Sequence, residues 1–138
     1  MKLRIELFSN DGTNIPFGTY DCMTMTHPAT AVQMGAEMLD MYDGADYVVI
    51  RDYDCGGWFK EKITKAKKDK YFKYTLSYNK NTLVSENGIE EVHTSPWVEK
   101  FKSQDMLYSR KQELQRGYIT MSNGKMMYRH TDFVEGKL

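Results

Sequence analysis

The sequence predicts an α+β fold, with two α-helices packed against a mainly antiparallel β-sheet and a β-hairpin near the C-terminus. Three observations lead there. Apolar and polar residues alternate in several short stretches, as half-buried strands require. Apolar residues recur at helical spacing in only two regions, about 28–43 and 96–116. Strands and helices do not alternate in the order a doubly wound parallel sheet needs.

The elements follow in chain order. Leu3, Ile5 and Leu7 alternate with Arg4 and Glu6, so Lys2 to Phe8 reads as a strand. Ser9-Asn10-Asp11-Gly12 is turn chemistry, and Phe17 to Met25 reads as the partner strand. Pro28 suits a first helical turn, and Thr30 with Gln33 has capping-box spacing. Val32, Ala36 and Leu39 form the apolar stripe of that helix. Met34, Met38 and Met41 lie beside it and read as a broad core face, and Asp43-Gly44 ends it. Asp46 to Tyr53 is β-branched and reads as a central strand. Trp58 to Ile63 resumes after Asp54-Cys55-Gly56-Gly57 and reads as antiparallel to a neighbour. Thr64 to Lys70 reads as a lysine-rich connection, and Tyr71 to Asn79 as a strand with Phe72, Tyr74, Leu76 and Tyr78 on its core side. Glu86-Asn87-Gly88 predicts a tight primed turn between Thr82–Ser85 and Ile89–His93. Ser95-Pro96 predicts the start of the second helix, with a break near Ser103. Ser122-Asn123-Gly124-Lys125 joins the closing hairpin, and the last residues are expected to fray. With no repeat, low-complexity tract or linker in sight, residues 1–138 read as a single globular domain.

Composition narrows the function classes. Hydrophobic residues at 41% with only 3 Pro argue against a disordered chain. No apolar run approaches the roughly 20 residues that span a bilayer, and the first residues lack the apolar stretch of a signal peptide. A cytoplasmic protein with two reduced thiols, Cys22 and Cys55, is the expectation. The formal net charge is zero but unevenly laid out: residues 1–54 carry net −6, residues 55–80 net +6, and the rest is balanced. Such a layout can orient partners over roughly a Debye length, about 8–10 Å.

Motifs of known chemistry are scarce. There is no P-loop and no dinucleotide fingerprint, and the cysteines lack zinc-site spacing. Asp52 and Asp54 share a face of an extended segment; a divalent cation could bind such a pair, but solvated carboxylates at a strand end are the preferred reading. His93-Thr94-Ser95 has the form of one half of a two-histidine phosphoesterase motif. The second half is missing, because His130-Thr131-Asp132 places an acid where a hydroxyl belongs.

The most distinctive stretch is residues 60–74, with seven lysines and three aromatics in fifteen residues. Lysines neutralise phosphates and aromatics stack on unpaired bases, so nucleic-acid binding is one reading. Against it stand the neutral chain and the absence of Arg from the stretch. The expectation is therefore a small non-catalytic binding protein without a cofactor or bound metal. It would be of the accessory or inhibitor type that bacterial viruses and mobile elements encode, docking on a macromolecular partner, in the first place a protein. The expected contact residues are Lys60, Lys62, Lys65, Lys67, Lys68, Lys70, Tyr71 and Lys73. Nucleic-acid binding through the same segment is the first alternative. A metal-independent phosphoesterase using His93 and His130 is the second.

Overall fold

A computed structural model describes residues 1–138. The fold is α+β with antiparallel sheets, and the chain forms two compact units, Met1–Phe72 and Lys73–Leu138. The sequence shows no linker at that junction, which falls inside the lysine-rich stretch.

The first unit contains β1 (Leu3–Phe8), β2 (Asn14–Asp21), α1 (Pro28–Met41), β3 (Tyr47–Asp52), β4 (Lys60–Thr64), a 3₁₀ turn (Lys65–Lys67) and the single helical turn α2 (Lys68–Tyr71). Its four strands lie in the order β2-β1-β3-β4, each pair antiparallel, so β3 is central and β4 is an edge. The alternation read from the sequence decides which face is buried. Leu3, Ile5, Leu7, Val48, Ile50 and Ile63 point to the helix side and pack with Ala31, Val32, Ala36 and Leu39 of α1. Met34 and Met38 are half-buried against this core, as the broad core face predicts, while Met41 is exposed. Gly35 allows the helix to sit close: a Cβ there would lie 2.8 Å from Ile50 Cδ1.

Three local expectations are corrected here. The second strand ends at Asp21, four residues short of Met25. The cap of α1 is His27, whose Nδ1 accepts from the Ala29 N–H at 3.0 Å; Thr30 already lies within the helix. The lysine-rich connection is partly helical, and Tyr71 belongs to α2 rather than to a strand, with Phe72 packed beside the first unit's core.

The second unit contains β5 (Tyr74–Glu86), β6 (Ile89–Phe101), α3 (Gln104–Gln115), β7 (Tyr118–Thr120), β8 (Met126–Tyr128) and β9 (His130–Lys137). β5 and β6 form one long hairpin around Asn87-Gly88, both at positive φ as a primed turn demands. The second helix is shorter than predicted. Residues 96–101 continue β6, and Ser95 pairs with Lys80 in the sheet instead of capping a helix. The cap is Ser103, whose hydroxyl accepts from the Met106 N–H at 3.3 Å. The closing hairpin, β7-β8, is where the sequence puts it. The C-terminal residues do not fray: they form β9, antiparallel to β5. Leu76, Phe101, Leu107, Leu114 and Ile119 are buried in this unit.

Candidate docking surface

The lysine-rich stretch is the edge strand β4, the 3₁₀ turn and α2, with Lys73 opening the second unit. β4 is anchored by Ile63, which is fully buried, and by Glu61, which accepts a hydrogen bond from the Tyr71 hydroxyl at 2.8 Å. Lys60 and Lys62 alternate with these two and face the other side of the sheet.

That open face carries more cations than the linear stretch suggests. β1 adds Arg4 and β3 adds Arg51, because strand period two aligns them with Lys60 and Lys62. Two carboxylates answer them: Asp21 accepts from Arg4 Nε at 2.6 Å, and Glu6 from Arg51 Nε at 2.8 Å. Aromatic rings lie between the charges. Phe8 and Tyr47 stack at 5.1 Å, Lys62 Nζ sits 4.3 Å from the Tyr47 ring centre, and the Arg4 guanidinium sits 4.6 Å from that of Tyr53. Arg51 and Lys60 stand directly opposite each other across β3 and β4. Like charges in that position repel.

The remaining lysines divide by partner. Lys68 pairs with the Asp40 carboxylate of α1, and Lys65 Nζ donates to the Tyr42 carbonyl at 3.2 Å. Lys60, Lys67 and Lys70 are exposed, with no carboxylate of the chain against them. Tyr71 is half-buried. Burial, together with the Glu61 carboxylate, pushes its phenol well above the usual range and keeps it neutral. Lys73, exposed, lies in the other unit and is not placed with the rest.

The other candidates are not brought together. His93 is on β6, bonded to Glu91, and His130 is on β9 with its ring 5.0 Å from that of Tyr78. β5 runs between those strands, so two strand spacings, roughly 10 Å, separate the backbones. Asp52 and Asp54 do not form a pair open to a cation. The Asp52 carboxylate is buried and accepts from the Gly57 and Phe59 N–H groups, at 2.7 and 2.5 Å, while Asp54 accepts from the Lys2 N–H at 2.7 Å. Those backbone bonds hold both carboxyls below the ordinary aspartate range. Cys22 is buried, Cys55 is exposed, and both are free thiols. The Asp54 carboxylate beside Cys55, with some desolvation, raises its thiol pKa and makes it a weak nucleophile.

Two groups of surface residues escaped the sequence reading. One is the pair Arg4 and Arg51, which strand alternation places on the face opposite the buried residues of β1 and β3. The other is a set of exposed apolar side chains, with Phe17 at 95%, Trp58 at 89% and Met25 at 88% exposure. Trp58 follows Gly56-Gly57, both at positive φ, in the β3–β4 loop. No helix is long and apolar enough to cross a membrane. No protein-family model, curated protein or solved structure matches the chain.

Proposed function

We propose that the protein is a non-catalytic binding module that docks on an acidic surface of a protein partner through the lysines of β4, the 3₁₀ turn and α2. One observation carries this reading: of the six lysines in that part of the first unit, only Lys68 is neutralised by a carboxylate of the chain. Lys60, Lys67 and Lys70 are exposed, while Lys65 meets a carbonyl and Lys62 a ring, so the positive charge of these five is not cancelled by an ion pair. On the open face the two nearby acids, Asp21 and Glu6, pair with Arg4 and Arg51 and not with the lysines.

A protein partner is favoured over nucleic acid because the aromatic rings beside Lys62 on the sheet and in α2 are already engaged, Trp58 of the β3–β4 loop excepted. Tyr47 is stacked on Phe8 and covered by Lys62, and Tyr71 is bonded to Glu61. A base-stacking platform needs rings with free faces.

Affinity capture from the native host tests this when it is run with wild type and with K60E/K62E/K67E/K70E. The expected result is a protein partner retained by wild type and lost by the variant, whose circular dichroism matches wild type. A parallel filter-binding titration with single- and double-stranded oligonucleotides at low salt should retain nothing. Oligonucleotide retention that the variant abolishes would transfer the site to nucleic acid. Undiminished capture by the folded variant would remove the lysines from the interface altogether.

A further inference from the structure

The edge position of β4 says how such a partner would bind. Hydrogen bonds run from Asp52 N to Phe59 O at 3.1 Å and from Lys65 N to Asp46 O at 2.9 Å. In an antiparallel ladder the bonded pairs alternate. With the β3–β4 register, Glu61 and Ile63 therefore turn their backbone groups toward β3, and Lys60 and Lys62 turn theirs outward. No backbone group of the chain outside the sheet ladder bonds to Lys60 or Lys62. The chain leaving β4 passes to the α1 side of the sheet, where Lys68 meets Asp40 and Tyr71 meets Glu61. The same two residues that offer free N–H and C=O groups thus project their ammonium groups onto the open face, beside Arg51.

We propose that the partner supplies an extended acidic segment that adds to β4 as a fifth, antiparallel strand. This rests on the docking reading above and specifies its geometry. Residues of the added strand opposite Lys60 and Lys62 exchange backbone hydrogen bonds with them, and their side chains fall on the open face. Carboxylates at those positions face the ammonium groups of Lys60 and Lys62, which have no carboxylate of the chain against them. The competing role for edge lysines is to keep the edge from pairing at all. That role predicts no strand addition by any peptide.

The probe is a capped ten-residue peptide alternating threonine and glutamate, with two relatives: one N-methylated on every glutamate amide, one on every threonine amide. When glutamates face the lysines, their own amides point at β4. Methylating them should weaken binding about tenfold or more, because several backbone bonds are lost at once. Methylating the threonine amides, which point away, should leave affinity nearly unchanged. Hydrogen exchange should slow at the amides of Lys60 and Lys62 when the parent peptide binds. K60E/K62E should lose binding of the parent peptide. Equal binding of all three peptides, abolished by K60E/K62E, would overturn strand addition while leaving charge-driven docking intact. Failure of the parent peptide to bind would also overturn strand addition, and native capture with the lysine variant would then decide the docking reading separately.

Discussion

Asp52 fastens the β3–β4 loop from inside the sheet, gripping the Gly57 and Phe59 N–H groups with a carboxylate that is only 1% exposed. Removing it strands two backbone donors, so Asp52→Ala should lower the melting temperature by several degrees and open the loop to proteolysis near Gly56-Gly57. Its depressed pKa fixes a sign as well. The carboxylate contributes stability above the ordinary aspartate value, and that contribution is lost as pH falls through that value toward the lower folded one. Asp52→Asn should flatten the acid limb of a stability–pH curve. In the second unit Glu99 is 4% exposed and accepts from Arg110 Nε at 2.9 Å and from the Tyr78 hydroxyl. Breaking such a pair leaves a buried charge, so Arg110→Met should cost about 3–5 kcal/mol in a urea titration. Replacing Glu99 at the same time should recover part of it, as a double-mutant cycle would show. Neither Asp52 nor Glu99 was legible as a buried group. A lone acid in a sequence looks solvated until a turn or a register places partners around it.

At the scale of elements, α1 sits close on β3. Alanine at position 35 gains roughly 1 kcal/mol of helix propensity. Its methyl, however, meets Ile50, which is fully buried and has nowhere to move. Overpacking of this kind costs about 1–3 kcal/mol, so Gly35→Ala should be neutral to destabilising in wild type and more favourable when introduced into an Ile50→Val background. Thermal melts of the two variants check this. The core strands and α1 were readable because their periods persist over enough residues to be unambiguous. The stretch from Ser95 to Phe101 was misread because Ser-Pro is as good a helix start as any local signal offers. What overrides it is non-local: each residue from Ser95 to Phe101 has a partner on β5, and proline is tolerated because β6 is an edge. The helix starts at Ser103, where the sequence predicts a break. Ser103→Ala should therefore cost about 1 kcal/mol. β9 was unreadable for the same reason: its order comes from β5, not from any strong local pattern.

At the scale of the molecule, the acidic block and six of the eight lysines of the basic block lie in the first unit, which holds nine basic and eleven acidic residues. The sequence shows the lysines plainly. It does not show that they would lie on a sheet edge, nor that Arg4 and Arg51 would join two of them on one face, since both depend on strand order. The junction between the units was invisible because no turn or flexible stretch marks it. The first unit buries its own core, so a fragment spanning residues 1–72 should melt cooperatively by itself, as circular dichroism would record. The grip of Asp52 on the base of the β3–β4 loop has a practical corollary. Above that grip the loop is exposed from Tyr53 to Trp58, and the entropy of closing a loop rises slowly with its length. An epitope or a fluorescent-label acceptor sequence spliced in there should ride on the surface without disturbing the strands that carry it, a ready handle for following the protein at work.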